Sequence, residues 1–244
     1  MLISVITPTF NSEKFIKKNV NSLNIQKQNF EQIFVDNIST DSTQQIIKDN
    51  ARYPYKIISE KDDGIYYAMN KGISKSIGDY ILFLNSDDWL PEKTIENVLN
   101  EIKKNPNNDI YYGNSNYYKN NNEIFTQKSN IKNIFKTNSV SHQAMYYSKK
   151  IFISNMFDTF YQVAADYDLS IKLVKENYNF FHIDKILSNN LIGGYSSNLL
   201  KSFNDFFEIQ KKNNGLLGYF NTIIEYKYKL LIILFKKIYA KISG

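Results

Sequence analysis

Short apolar runs, each closed by polar residues and followed by a helix-patterned stretch, recur through the first half of the chain and leave few architectures open to it. Leu2 to Ile6 reads as a strand that opens into Thr7, Pro8, Thr9 and Asn11, and a helix follows from about Ser12 with Phe15, Ile16, Val20 and Leu23 near a 3.6-residue period. Ile33 to Val35 forms a second strand ending at Asp36, and Thr40 or Asp41 can cap the next helix, which carries Ile46 and Ile47. Tyr55 to Ile58 is a third strand, followed by a turn at Asp62, Asp63 and Gly64 and a helix with Ala68, Met69, Ile73 and Ile77 that breaks at Gly78-Asp79. Tyr80 to Leu84 is a buried strand with an abrupt stop at Asn85-Ser86-Asp87-Asp88. Pro91 suits a first helical turn, and Ile95, Val98, Leu99 and Ile102 make one apolar face. This alternation predicts an α/β fold, a doubly wound, mostly parallel sheet with helices on both faces.

In such sheets ligands bind beyond the carboxyl ends of the strands. Thr7, Asp36, Asp62, Asp87 and Asp88 all fall at those ends, which is the first indication of function. From about Tyr111 to Asn133 the sequence turns Asn-, Lys- and Tyr-rich and reads as a connection with weak strands; a second structured stretch runs from Val140 to about Leu191. The chain thus divides into 1–115, a ligand-binding half, 116–200, the other half of the same domain, and 201–244, a basic amphipathic helical tail. From Lys201 onward eight Lys stand against Asp205, Glu208 and Glu225, so of the net charge of +6 about +5 belongs to the tail. A nucleic-acid reader would more often spread basic residues over its folded domain, and no nucleic-acid partner is expected. The chain has no Cys, which excludes disulfides and thiolate metal sites and leans toward a reducing compartment. No signal peptide is expected, since Met1 to Thr7 lacks a basic segment and a long apolar run.

Several carboxylates carry chemical potential. Asp87 and Asp88, adjacent after a buried strand, repel each other unless a cation compensates them, and hard oxygen ligands suit Mg²⁺ or Mn²⁺. The same pair also suits a helix N-terminus. Asp36 can accept from N–H or ribose hydroxyl groups of a nucleotide, or simply begin a turn at Asp36-Asn37. Asp166 or Asp168 can cap the helix that follows, or one of them can act as a general base. His142, one of two His residues, is either a hydrogen-bonded structural group or a functional one.

The segments Ser4 to Asn11 (SVITPTFN), Val35 to Thr43 (VDNISTDST), Ser59 to Gly72 (SEKDDGIYYAMNKG), Gly78 to Leu90 (GDYILFLNSDDWL), Ser141 to Tyr146 (SHQAMY) and Val163 to Leu169 (VAADYDL) appear in an order that resembles the inverting family 2 glycosyltransferases of the GT-A fold. The likeness extends to a bacterial branch that builds colanic acid, O-antigen and capsule. It implies that Thr7, Pro8 and Asp36 hold the donor's nucleobase and ribose, with Asn37 at a second base-contacting position. It further implies Asp87 near ribose and metal, Asp88 as direct ligand of Mn²⁺ or Mg²⁺, Asp166 as catalytic base with Asp168 and His142 in support, and Asp62 and Asn70 near the donor. The sequence departs from the branch at Asn37-Ile38, where two Gly are frequent, at Tyr67, where Asp is frequent, and at Asn85, where many relatives carry a further Asp.

The activity the resemblance implies is transfer of one sugar, with inversion, from a nucleoside diphosphate sugar (most simply a uridine diphosphate sugar) to a carbohydrate or polyprenyl-linked oligosaccharide acceptor. A nucleotidyltransferase would show a Gly-rich basic phosphate loop, which Pro8 to Ser12 does not offer. A non-catalytic sugar- or membrane-binding subunit has no evident need for Asp88 and Asp166 together. The apolar run Leu230 to Phe235, flanked by Lys227, Lys229, Lys236, Lys237 and Lys241, is too short to span a bilayer and suits an interfacial helix on anionic lipid. The expected location is therefore cytoplasmic, peripheral on the inner face of the membrane.

Overall fold

The computed structural model describes residues 1–27, 29–193 and 202–215. The stretch from Tyr219 to Ile242, read above as an interfacial helix, lies outside the described residues.

The four predicted strands form β1 (Ile3–Thr9), β2 (Phe30–Asp36), β3 (Tyr55–Ser59) and β4 (Tyr80–Phe83), separated by α1 (Ile16–Asn24), α2 (Thr43–Asn50) and α3 (Ile65–Lys75). They lie in the order β3-β2-β1-β4, all parallel. Every residue of β1 and β2 is buried, as expected where helices cover both faces of a parallel sheet. Strand alternation shows directly in β4, where Ile81 and Phe83 enter one apolar cluster while Leu82 and Leu84 enter the cluster on the opposite face. α4 (Thr94–Lys104) closes that second face with Ile95, Val98, Leu99 and Ile102, the stripe read from sequence. It begins after Pro91 and not at it, following Lys93 in a left-handed conformation.

The reading of Tyr111 to Asn133 as a weakly structured connection is corrected. β5 (Ile110–Lys119) is a long strand with its first six residues buried, paired with β6 (Asn122–Gln127), β7 (Met145–Ser148) and β8 (Phe180–Leu191). Its aromatic side chains find partners from distant segments, Tyr111 against Phe181 and Tyr112 against Phe180 and His182. Sheet context, not local apolar content, makes this stretch a strand. The boundary near residue 115 consequently falls inside β5, and one sheet runs through both halves. β7 is the antiparallel seam, joining β4 on one side to β5 on the other.

α5 (Ala165–Lys175) precedes β8, and residues 202–215 form a last described helix, α6. α6 packs on the domain: Ile209 is fully buried in the larger core, Phe206 stacks near Tyr167 at 5.0 Å, and Gln210 donates to the Tyr167 hydroxyl at 2.6 Å. This start of the supposed tail is part of the fold. No described helix is long and apolar enough to cross a membrane.

The order β3-β2-β1-β4 places a switch point between β1 and β4, where connections leave in opposite directions and the strand ends open a crevice. Two hydrogen bonds from Asn19 of α1, to the carbonyls of Asn85 and Asp88 at 2.9 and 3.1 Å, fix the loop after β4 over that crevice. A third tie joins Ser12 and Ser86 through their hydroxyls at 2.9 Å.

Candidate active site

A cleft of about 550 Å³ opens at this switch point. One wall comes from Pro8 near the end of β1, from Phe10 and Phe15 after it, and from Asn85 to Asp88 after β4. The other comes from Tyr66 of α3, from the 3₁₀ turn His142–Ala144 with its neighbour Ser141, and from Asp166 in the first turn of α5. Chain segments far apart in sequence thus bring Asp87, Asp88, His142 and Asp166 to one cavity. No described residue lining it is Lys or Arg.

The two buried carboxylates of the cleft are held differently. Asp88 is 3% exposed; its Oδ2 accepts from Gln143 Nε2 at 2.7 Å and its Oδ1 from the Leu191 amide at 2.8 Å. Burial, reinforced by the adjacent Asp87 charge, pushes its carboxyl well above the usual carboxylate range. Asp166 is 8% exposed, and its Oδ1 accepts from the Tyr66 hydroxyl at 2.8 Å while its Oδ2 lies 2.7 Å from His142 Nδ1. Burial would raise this carboxyl too, but the His142 charge and the His142 and Tyr66 hydrogen bonds outweigh it and hold it below the ordinary value. Asp87 lines the cleft half-buried, and burial lifts its carboxyl, partly offset by His142.

A match to the model described as glycosyl transferase family 2 spans residues 4–167. The chain belongs to that family. Among its relatives are the Escherichia coli chondroitin synthase, 31% identical over 87% of this chain but 31% of that protein, and a Mycobacterium tuberculosis PGL/p-HBAD biosynthesis glycosyltransferase, 29% identical over 82% of this chain and 80% of the relative. The chain therefore spans about a third of the chondroitin synthase. Among solved structures, S. aureus TarS 1–349 in complex with UDP-GlcNAc superposes with a TM-score of 0.70 at 22% identity, covering 87% of this chain and 65% of that one. The mannosyltransferase PcManGT from Pyrobaculum calidifontis, in complex with GDP-Man and Mn²⁺, gives 0.68 at 14% identity over 99% of this chain and 75% of that one. These likenesses establish the GT-A fold that the sequence resemblance implied.

Within this family 2 glycosyltransferase, several expected site residues have other work. Asp168 points away from the base role: it pairs with Lys212 of α6 at 3.1 Å, in a separate depression with Lys172 and Lys175. One residue separates it from Asp166, but on a helix that offset of two turns it to another face. The Asn70 side chain clasps the Phe157 backbone, accepting at 3.1 Å and donating at 2.9 Å, and is not among the residues lining the cleft. Asp36 is fully buried and accepts from Thr9, Ser39, Gln44 and Ser59, so its carboxylate is occupied tying the loops after β1, β2 and β3 together. Burial raises its carboxyl, but the Ser39, Gln44 and Thr9 bonds together hold it below the ordinary value. Thr7 is also buried, its hydroxyl without a partner among the described residues, and only Pro8 of that pair lines the cleft. Asn37 accepts from the Asp62 amide at 2.9 Å, and Asp62 keeps one buried oxygen unpartnered among the described residues, its carboxyl raised by burial.

The sequence reading gave no site role to Tyr66, Gln143, Phe10 or Asp205, and placed Phe15 on the apolar face of the first helix. Tyr66 sits on the apolar face of α3 and looks like core from its spacing alone. Phe10 and Phe15 are 59% and 43% exposed on the cleft wall, an unusual place for aromatics and a usable signal for a flat ligand surface. Asp205 of α6 accepts from the amides of Val163 and Ala164 at 2.6 and 3.1 Å, so it fixes the backbone that carries Asp166.

Proposed function

We propose that this glycosyltransferase takes a sugar from a nucleoside diphosphate sugar, most simply a uridine diphosphate sugar, and passes it with inversion to a hydroxyl of a carbohydrate acceptor. The observation that carries this reading is the placing of Asp87 on one wall of a single cleft and the Asp166–His142 pair on the other. The acceptor hydroxyl attacks the anomeric carbon, the bond from that carbon to the diphosphate oxygen breaks, and the nucleoside diphosphate leaves with the electron pair. The Asp166–His142 pair takes the hydroxyl proton. Attack opposite the leaving group inverts the configuration with no covalent enzyme intermediate.

A divalent cation, Mn²⁺ or Mg²⁺, fits the donor end. A diphosphate entering this cleft meets no described Lys or Arg, and Asp87 is lifted by burial, so positive charge has to arrive with the substrate. Such cations take one or two carboxylates and complete their shell with phosphate oxygens and water. The direct ligand is Asp87; Asp88 has both oxygens committed to Gln143 and Leu191 and holds the loop in place. When bound, the cation supplies charge neutralisation for the departing diphosphate. Phe10 and Phe15 offer aromatic surface to the donor or acceptor rings, and Asn37 and Asp62 remain candidates for the nucleobase end.

The acceptor fits a lipid-linked oligosaccharide of cell-surface polysaccharide synthesis, with the Lys-rich sequence beyond residue 215 holding the enzyme to the inner face of the membrane. Flotation with anionic vesicles, lost on removal of residues 216–244 and weakened by salt, tests that part. The central reading is tested by thermal shift and diphosphate release across uridine, guanosine and thymidine diphosphate sugars with and without Mn²⁺. Cation-dependent stabilisation by one nucleotide class is expected; no response to any of them would overturn the assignment.

A further inference from the structure

We propose that the end of the cleft lined by Tyr117, Gln127, Asn138 and Asn190 is a subsite for the acceptor, and that it takes an uncharged saccharide unit, recognised through its hydroxyl groups. The inference rests on the transferase reading and names the class of acceptor which that reading leaves open.

The order of the strands places this end on the acceptor's side. Asn37 and Asp62 follow β2 and β3, Asp87 follows β4, the turn at His142 leads into β7, and Tyr117 and Gln127 belong to β5 and β6. In the sheet these strands run β3-β2-β1-β4-β7-β5-β6. A donor whose nucleoside lies over β1 to β3 and whose diphosphate lies at Asp87 therefore points its anomeric carbon toward β7. Inversion brings the acceptor hydroxyl in from the face opposite the diphosphate, which is the side of β5 and β6. β8 runs parallel to β5 with Asn190 in register with Tyr117, so the two residues reach the cleft from neighbouring strand ends.

The side chains at this end are prepared for hydroxyl groups. The Tyr117 ring stacks on Phe125 with centroids 4.6 Å apart, and its hydroxyl donates to Gln127 at 2.9 Å. Gln127 donates in turn to the Asn138 backbone carbonyl at 3.2 Å, and Asn190 donates through Nδ2 to the Ser141 hydroxyl oxygen at 2.9 Å. These bonds hold the wall rigid and leave two groups over. One is the carbonyl oxygen of the buried Asn190 side chain, and the other is the part-exposed side-chain amide of Asn138; neither has a hydrogen-bond partner among the described residues. A side-chain amide carries both donors and an acceptor, so it matches a hydroxyl in either sense, and it brings no charge to offset an acid. The local field is negative besides. Burial raises the Tyr117 hydroxyl above its ordinary pKa, hydrogen bonds from Asn190 and Ser141 oppose this, and the charges of Asp88 and Asp166 add to the rise. An acceptor carrying a carboxylate or phosphate would meet both of those charges with no cation among the four side chains, whereas a neutral sugar would not.

The test measures transfer, from the nucleotide sugar that the donor panel identifies, to para-nitrophenyl glycosides of glucose, galactose, N-acetylglucosamine and glucuronic acid. Wild type is expected to use at least one neutral glycoside with kcat/KM about tenfold or more above that for the glucuronide. Asn138→Ala and Asn190→Ala should each raise the KM for that glycoside by about tenfold. Hydrolysis of the nucleotide sugar by water alone, and Mn²⁺-dependent nucleotide binding by calorimetry, should stay within about twofold of wild type in both variants. The Asn138 side chain bonds to nothing described in the fold, so its variant keeps the test open even where Asn190→Ala melts early. An unchanged acceptor KM in Asn138→Ala overturns the proposal, as does a preference for the glucuronide or transfer to none of the neutral glycosides. Nucleotide-sugar binding or hydrolysis that falls in step with transfer would put the donor's own sugar at this end and overturn it equally. Wild-type protein that turns over no nucleotide sugar would take down the underlying transferase reading, a result distinct from the others.

Discussion

Asp88 and Asp166 are the same residue type, equally deep in the same cleft, yet their carboxyls are displaced in opposite directions. Burial pushes both upward. Asp88 has a second carboxylate beside it and only neutral donors against it, so the displacement stands. Asp166 has an imidazole and a phenol, and the displacement is reversed. One carboxylate faces a second carboxylate; the other faces an imidazole and a phenol supplied by the fold. Transfer between a diphosphate-linked donor and a hydroxyl acceptor needs that asymmetry, since one end must neutralise a growing negative charge and the other must take a proton.

The largest effect that can break this comparison is expected from Asp166→Asn. The amide presents a donor where the carboxylate accepted and cannot take a proton, and should lower turnover by on the order of 10²–10⁴ with nucleotide binding nearly intact. Steady-state kinetics together with calorimetry checks this, and parallel losses in both would show that the two walls are not independent.

A smaller effect concerns pH. With the cation on Asp87 as proposed, and its carboxyl raised by burial, a proton would compete with the cation, so binding is expected to be complete above the raised value and to weaken as pH falls through it. Calorimetry of Mn²⁺ with uridine diphosphate should show affinity falling by about tenfold per pH unit on the acid side. Flat affinity would mean that Asp87 does not exchange its proton for the cation.

Smaller again is the effect of Asp205→Ala. This change strips the Val163 and Ala164 amides of their shared acceptor and should cost about 1–3 kcal/mol of stability, with turnover down about tenfold through a looser Asp166. Denaturant melts and kinetics measure the two losses. Unchanged turnover in the destabilised variant would show that the base wall does not depend on α6. The smallest effect is expected at Gly78, where an added Cβ would lie 2.6 Å from the Ser4 amide nitrogen. Gly78→Ala should cost about 1–3 kcal/mol by crowding β1 and leave nucleotide affinity unchanged.

The two walls also differ in how far they could be read from the chain. Asn85 to Asp88 is contiguous, follows a buried strand and declares itself, and the strand and helix order up to α4 follows from local periodicity. The Asp166 wall is assembled from α3, the turn at His142, α5 and α6, and no local pattern links Tyr66, 100 positions away, or Asp205, which holds the Val163 and Ala164 amides, to Asp166. β5 escaped because its Asn- and Tyr-rich run has little apolar periodicity, although Asn120 and Asn121, both with positive φ, supply the two-residue turn that such pairs favour. Asp36 stands where strand order predicts a ligand contact, but Thr9, Gln44 and Ser59 reach it from separate elements and occupy it. The first part of the tail was read from its charge, whereas Ile209 in the core and Asp205 against the backbone just before α5 decide where it goes.

The account rests on the two adjacent carboxylates having different tasks, and one measurement addresses that directly: calorimetry of uridine diphosphate with and without Mn²⁺ for Asp87→Asn and Asp88→Asn. Asp87→Asn should bind nucleotide with no stimulation by the cation while its melting temperature stays near wild type. Asp88→Asn should lose thermal stability, because the Leu191 amide and Gln143 lose a charged acceptor, yet keep a measurable cation stimulation. Full stimulation in Asp87→Asn, with none in a folded Asp88→Asn, would contradict the assignment and return the cation to Asp88.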